Sequence, residues 1–174
     1  MRKQIIVLTL ALLTFVSGKS LRDSLEIREP VGVELVNMPE DSMVAYIKKM
    51  YREVNRSLSN ATIISYFNDK DEYKLKGYIL DKRVVRVEKL KIVNGIRESS
   101  EYYFYNGHLI FSYQAKDLYS GNQYYIYNGR LIRWIASDNS RVDDSKYLAK
   151  LKILKDNSAL YLDMLLDSGV VVEE

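Results

Sequence analysis

A tyrosine-rich hairpin that occurs twice is the feature that most constrains the fold. The stretch "EYYFYNGHLI" begins at Glu101, and "NQYYIYNGRLI" begins at Asn122. Each copy places an Asn-Gly pair between strand-forming residues. An Asn-Gly pair favours a type I′ turn, because both central residues of that turn need positive φ. Each copy therefore predicts two antiparallel strands joined by a two-residue turn, and a third such pair at Asn94-Gly95 extends the pattern upstream.

A residue pattern with a period of two continues from Ala61 to Ala136 and predicts an antiparallel meander of about six to seven strands. Ragged alternation near Glu88 leaves open a bulge in that strand. The candidate strands are Thr62–Phe67, Tyr73–Leu80, Arg83–Val93, Ile96–Tyr105, His108–Lys116, Gln123–Tyr127 and Arg130–Ala136.

Helical patterns flank the meander on both sides. Asn37 as N-cap, Pro39 in the first turn and Glu40 beside it mark the start of an N-terminal helix. A second helical pattern extends from Asp143 to Asp167, and "KDNS" at 155–158 leaves open a kink within it. The apolar stripe of the first helix consists of Val44, Ile47, Tyr51, Val54 and Leu58.

These elements predict one α+β domain at residues 38–168, with the N-terminal and C-terminal helices packed on one face of the meander. Residues 19–37 form an extended lead-in. Residues 169–174 form a C-terminal tail, which is either frayed or an edge strand.

The first eighteen residues have the layout of a secretory signal peptide. Arg2 and Lys3 are basic, Ile5–Val16 is almost entirely apolar, and small residues follow at Ser17-Gly18. A membrane-spanning helix needs about 20 apolar residues, and this run is shorter. We therefore expect an exported protein, periplasmic or secreted, that does not span a membrane after cleavage.

The amino-acid composition excludes several kinds of site and partner. The chain has no cysteine, which excludes disulfides, thiolate metal sites and a cysteine nucleophile. Without Arg2 and Lys3, the net charge of +3 falls to +1. Because a nearly neutral protein attracts polyanions weakly, nucleic acid is not an expected partner. A protein or glycan partner remains open.

Strict alternation across each Asn-Gly turn assigns the side chains of the doubled hairpin to two faces. It pairs Tyr103 with Ile110 and Tyr102 with Phe111. The predicted core face carries Tyr102, Phe104, Leu109, Phe111, Tyr113, Tyr124, Ile126, Leu131 and Ile135, with Arg133 as a polar exception. The opposite face gathers the candidate binding residues Tyr103, Tyr105, Tyr125, Tyr127 and Trp134.

Two interpretations of this aromatic band stay open. In the first, the helices cover it and it is core, since a one-sided sheet needs helices to close its apolar face. In the second, it is a binding surface, because Tyr and Trp combine rigid apolar area with a hydrogen-bonding tip that suits proteins and sugars.

Catalytic and metal-binding motifs do not stand out. His108 is the single histidine and follows a predicted turn, and no cofactor or metal is expected. The acidic segments at 68–72 and 138–144 are predicted to be a solvated turn and a helix cap. The leading hypothesis is a non-enzymatic binding module. Its alternatives are a hydrolase of envelope or dietary polymers that uses two carboxylates, and a subunit of an envelope assembly joined through edge strands.

The segments "YYFYNGHLIF" and "YYIYNGRLIRWI" also carry a resemblance, which covers residues 101–135. They resemble hairpin units of uncharacterised exported proteins and lipoproteins of bacteria. The resemblance implies a bacterial exported domain without a defined activity. This chain lacks the cysteine through which a lipoprotein is anchored.

Overall fold

A computed structural model describes residues 38–117, 120–168 and 170–172. In this part of the chain, two helices enclose one antiparallel sheet of eight strands. The helices are α1 (Glu40–Ser57) and α2 (Tyr147–Ser168). The strands are β1 (Thr62–Asn68), β2 (Tyr73–Leu80), β3 (Arg83–Val93), β4 (Ile96–Tyr105), β5 (His108–Ala115), β6 (Gly121–Tyr127), β7 (Arg130–Ile135) and β8 (Val170–Val172).

The sheet is a meander with one return. Each strand from β1 to β7 pairs with the next, and α2 then carries the chain back so that β8 pairs with the free edge of β1. The predicted α+β class, with a helix at each end of a meander, is confirmed. The C-terminal tail contains an edge strand, which was one of two alternatives. The predicted signal peptide, lead-in and Asn37 cap lie outside the described residues.

Both helices begin a few residues after the predicted positions: α1 starts at Glu40 with Pro39 as its N-cap, and α2 starts at Tyr147. The carbonyl oxygen of Pro39 accepts hydrogen bonds from the N–H groups of Ser42 and Met43, at 3.0 and 3.1 Å, and so opens α1. The carboxylate of Asp143 accepts from Ser145 N–H at 2.8 Å in the short 3₁₀ turn that leads into α2. Residues 155–158 continue α2 without a break, so the kink left open at "KDNS" does not interrupt the helix.

The two helices lie on opposite faces of the sheet, so the prediction that both pack on one face is wrong. The α1 face is built around Tyr103, Phe111 and Tyr125, which contact Val44, Ile47 and Val54 of α1. The α2 face holds the larger cluster. Because β4 and β6 carry large apolar side chains on both faces, each face needs its own cover. The buried side chains of the α2 face include Ile64, Leu75, Val87, Tyr102, Tyr124, Ile126, Leu154 and Leu165.

Three hairpins share one construction. The hairpins β2–β3, β4–β5 and β6–β7 each turn through two residues with positive φ, at Asp81-Lys82, Asn106-Gly107 and Asn128-Gly129. In each, the third residue after the turn has no partner across the ladder, so it forms a β-bulge. These bulged residues are Val85, Ile110 and Ile132, and all of them pack against the α1-face cluster. The doubled hairpin of the sequence therefore has a third, diverged copy.

The bulges change the predicted register by one residue. Tyr103 pairs with Phe111 instead of Ile110, and Tyr125 pairs with Arg133. The extra residue sends Phe111 and Arg133 to the α1 face and Trp134 to the α2 face. The prediction that Phe111 shares a face with Tyr102 is therefore wrong, because strict alternation does not count a residue that leaves the ladder.

The edge at β7 is closed by the chain that follows it. The backbone N–H of Trp134 donates to the hydroxyl of Tyr147 at 3.0 Å, and the carbonyl of Trp134 accepts from Val142 N–H at 3.1 Å. These bonds occupy backbone groups through which another strand would pair. Neither helix of the described ranges is long and apolar enough to cross a membrane.

The first bulged hairpin carries backbone strain that the other two avoid. Lys82 has φ of 61°, where its counterparts are Gly107 and Gly129. A non-glycine residue in this region costs roughly 1–2 kcal/mol, whereas glycine costs about 0.5–1 kcal/mol in chain entropy. We predict that Lys82→Gly raises the free energy of unfolding by roughly 0.5–1 kcal/mol, measured by urea denaturation. Lys74→Gly, in the regular part of β2, is the control and should lower it.

Candidate functional site

The structure separates the five candidate residues of the aromatic band. Tyr103 and Tyr125 are buried beneath α1, with 3% and 2% of their surfaces exposed. Tyr105 is 37% exposed and Tyr127 is partly buried, and both end their strands just before an Asn-Gly turn. Trp134 lies on the opposite face. The band is therefore core at its centre and meets solvent at the turn end of the sheet.

The hydroxyl groups of the buried tyrosines are satisfied by neighbouring side chains. The hydroxyl of Tyr103 lies 2.7 Å from Glu101 Oε2 and 3.1 Å from Asn55 Oδ1. The hydroxyl of Tyr125 donates to Gln123 Oε1 at 2.7 Å. Burial raises the pKa of Tyr103 well above its ordinary value, and the nearby carboxylate of Glu101 raises it further. These two tyrosines are thus packed and hydrogen-bonded as interior residues.

Trp134 takes part in packing α2. Its ring lies 5.2 Å from the ring of Tyr124, and its Nε1–H donates to Asn122 Oδ1 at 3.0 Å. The ammonium of Lys150 on α2 sits over both rings, 4.6 Å from the Tyr124 centroid, and donates to Gln114 Oε1 at 2.8 Å. Burial lowers the pKa of Lys150. This cation–π arrangement fixes the start of α2 against β5–β7.

An exposed cluster, here called the tyrosine edge, consists of Tyr46, Tyr105 and Tyr127. The ring of Tyr46, on the flank of α1, meets that of Tyr127 edge to face at 6.2 Å between centroids. Burial raises the pKa of Tyr46, and the phenol groups of Tyr105 and Tyr127 add to this effect, as does Glu53. Tyr46 thus packs on Tyr127 beside α1, and Tyr105 ends β4 at the same turn end of the sheet. Tyr46 is 43% exposed.

A small cleft, here called the tip cleft, opens beside the tyrosine edge. It lies between the tips of the hairpins β2–β3 and β4–β5, and α1 forms one wall. Its volume is about 210 Å³. Tyr105 borders both the cleft and the edge. The lining residues are Glu53, Val54, Ser57, Leu80, Asp81, Arg83, Val84, Val85, Phe104, Tyr105, Asn106 and Gly107.

Sequence reasoning missed two contributors to this surface. Tyr46 lies outside the apolar stripe of α1, and nothing in the helical pattern relates it to the hairpin tips. The hairpin β2–β3 was predicted but was not recognised as a copy, because Asp81-Lys82 replaces Asn-Gly. An alignment of Tyr78 with Tyr103 and Tyr125 would have found it.

The main charged network is enclosed on the α1 face. The guanidinium of Arg86 lies between the rings of Tyr78 and Tyr103, at 5.2 and 5.4 Å, and pairs with Glu101 at 3.0 Å and Glu88 at 3.7 Å. Glu88 and Glu101 are direct cross-strand partners. Two facing carboxylates thus exist, but both bind Arg86 and lie outside the tip cleft. The side chain of Arg86 is itself largely buried in this network.

His108 and the two acidic segments lie in or next to turns. His108 is exposed directly after its turn, as predicted. Asn68 Oδ1 accepts from Asp71 N–H at 2.9 Å in the acidic turn, and Asp138 accepts from Ser140 N–H at 2.9 Å. Among the described residues, no group of three His, Asp or Glu side chains could hold a metal ion. No family model, curated protein or solved structure is significantly similar to this chain.

An ion-pair cluster fixes the N-terminal half of α1, where Tyr46 lies. Arg133 Nε donates to Glu40 Oε1 at 2.6 Å, and its Nη2 donates to Asp41 Oδ1. Arg141 pairs with Glu40 at 3.1 Å. Arg133, the polar exception of the predicted core face, is thus placed by the bulge opposite the acidic first turn of α1.

This cluster should make stability depend on pH. The hydrogen bond and charge of Arg133 lower the pKa of Asp41 from its ordinary 3.8. The contribution of Asp41 is therefore complete above pH 3.8 and is lost as pH falls through its lower folded value. We predict that Arg133→Met lowers the unfolding free energy at neutral pH, and that its difference from wild type shrinks below pH 3.8. Arg130→Met is the control for loss of positive charge. A difference that is constant with pH would contradict the assignment.

Proposed function

We propose that this protein is an exported, non-enzymatic binding module, and that the tyrosine edge and the tip cleft together form its binding surface. The observation that carries the proposal is the convergence of Tyr46, Tyr105 and Tyr127 at the turn end of the sheet. Three partly exposed rings lie there beside a cleft. Aromatic rings with polar tips in such a setting are typical of recognition surfaces.

Packing accounts for only part of this concentration: Tyr127 packs against the α1-face cluster and against the ring of Tyr46. Tyr103 and Tyr125 bury their rings and bond their hydroxyl groups within the fold. Tyr105 stands two residues further along β4, beside Glu53 and Ser57 of α1 in the tip cleft, and is 37% exposed. In the first copy of the hairpin, the same position is Leu80, which lines the cleft. Lys82 is strained next to that position, and strained residues cluster at functional sites.

The size of the cleft suggests how a partner would bind. Pockets that enclose drug-sized ligands measure roughly 300–1,000 Å³, and the tip cleft measures about 210 Å³. It would therefore accept one ring or side chain of a larger partner. The rest of that partner would lie across the tyrosine edge, so a polymer or a protein fits this surface better than a free metabolite.

Export is part of this proposal. The basic residues, apolar run and small residues of the first eighteen positions support a cleaved signal peptide. The resemblance of the doubled hairpin to units of exported bacterial proteins points the same way. We therefore place the protein in the periplasm or outside the cell.

The binding surface can be tested with the insoluble envelope fraction of the cells that express the protein. We expect purified wild-type protein to co-sediment with it and the double variant Tyr105→Ala/Tyr127→Ala to stay in solution, because two stacking rings are lost. Phe67→Ala is the control, since Phe67 is an exposed ring on β1, outside the tyrosine edge. Circular dichroism would check that all variants fold. If the double variant sediments like wild type, the surface is not the binding site.

Export can be tested separately. Expression of the full chain in a bacterial host should give a soluble product outside the cytoplasm whose intact mass lacks residues 1–18. Replacing Leu12 and Leu13 with Arg should interrupt the apolar run and keep the full-length chain in the cytoplasm. An unprocessed wild-type chain in the cytoplasm would contradict the localisation.

A hydrolase is the second candidate, because two carboxylates line the tip cleft. Glu53 projects from α1 and Asp81 from the tip of β2–β3, and glycoside hydrolysis commonly uses a pair of acids. Both residues are exposed, however, and Glu53 lies 4.0 Å from Lys49. Assembly through the β7 edge is less favoured, because Tyr147 and Val142 already bind the backbone of Trp134 there.

A further inference from the structure

The hairpin tips form a row with a regular spacing. Leu80, Tyr105 and Tyr127 are equivalent residues, each the last before a two-residue turn, on β2, β4 and β6. These strands alternate in the sheet, with β3 and β5 between them. Neighbouring strands lie about 4.8 Å apart, so equivalent residues of the row are roughly 9.6 Å apart. The row thus offers an elongated partner three contacts that are separated by one constant distance.

This spacing discriminates between kinds of polymer. An extended peptide presents the same face every two residues, or about 6.7 Å, which does not match. In an extended β-1,4-linked glycan, successive rings are flipped, so every second ring presents the same face. The two-ring repeat is close to the roughly 9.6 Å between alternate strands. Flat, equatorially linked rings also stack well on tyrosine.

A polyproline helix is the rival, because one turn is about 9.3 Å long. Its rings are apolar and need an apolar groove. The tips instead expose polar groups around each aromatic contact, namely Glu53, Asp81, Asn106 and Asn128. Carboxylates and amides at this density suit hydroxyl groups, which both donate and accept hydrogen bonds. The surroundings therefore favour a sugar chain over a proline-rich peptide.

We propose that the row of tips binds an extended β-1,4-linked glycan. One pyranose ring occupies the tip cleft between Leu80 and Tyr105, and the chain crosses Tyr105 towards Tyr127. Tyr46 closes the α1 side of this path through its contact with Tyr127. This inference rests on the proposed binding function and names its ligand class.

The test is isothermal titration of the purified protein with soluble oligomers. The probes are β-1,4-linked oligomers of glucose and of N-acetylglucosamine, from dimer to hexamer. Maltohexaose, whose α-linkages curve the chain, and a decaproline peptide are the comparison probes. We expect binding of at least one β-1,4 series, with affinity that rises with length and levels off once the row is spanned. Maltohexaose and decaproline should not bind.

Alanine variants test whether the glycan binds at the row of tips. Tyr105→Ala and Tyr127→Ala should each weaken binding of the hexamer by roughly tenfold, because each removes one stacked ring. Tyr127→Ala should leave binding of the dimer at the cleft nearly unchanged, whereas Tyr105→Ala should weaken it. Phe67→Ala should change neither. Equal loss from all three variants would overturn the assignment to this row.

The outcomes separate this inference from the proposed function. If no β-1,4 oligomer binds at millimolar concentration, the glycan inference is overturned. Binding of decaproline instead would also overturn it, while a binding function at the same surface would stand. If the oligomers bind and are shortened, and Glu53→Gln abolishes the shortening, the ligand class stands and the non-enzymatic function is overturned.

Discussion

A two-residue turn followed by a one-residue bulge governs the rest of this structure. The turn reverses the chain, and the unpaired third residue resets which side chains face each helix. Without Ile132 out of the ladder, Arg133 would enter the α2-face core and Trp134 would lie under α1. With it, Arg133 reaches the acidic start of α1 at 2.6 Å from Glu40, and Trp134 packs on Tyr124. The bulged side chain is itself apolar and contributes to the α1-face core.

Tyrosine suits such a sheet because a helix covers each face of the strands, while the margins of both faces remain polar. A phenol ring fills the space under a helix, and its hydroxyl reaches a polar partner at the margin. Tyr103 reaches Asn55 and Glu101, and Tyr125 reaches Gln123. The same residue type, placed two positions further along the strand, lies at the turn end of the sheet, where Tyr105 is 37% exposed and Tyr127 is partly buried. Core and candidate site are therefore built from one repeated sequence and differ in their exposure to solvent.

Much of the fold could be predicted from local patterns, and the errors share a cause. The Asn-Gly pairs located the turns, and period two located the strands within one or two residues, because these signals depend on the nearest neighbours in the chain. The side of the sheet that each helix covers depends on long-range packing, and the single residue added by a bulge is invisible to alternation. Of the five predicted site residues, Tyr105 and Tyr127 lie at the exposed end. Tyr46 joins them through the placement of α1, which the sequence of the hairpins does not contain.

The positions of the three copies explain why a site would form at this end of the sheet. Bulges increase local strand twist and redirect the side chains next to them, and here they act at the same level of β3, β5 and β7. The tips beyond them remain in register with one another, and their last strand residues Leu80, Tyr105 and Tyr127 lie at the margin of the core. The hairpin β2–β3 differs from the other two copies at its tip. It has Leu80 where they have tyrosine, and a strained Asp81-Lys82 turn where they have Asn-Gly. The tip cleft lies at this diverged end of the row, and the contact of Tyr46 with Tyr127 lies at the other.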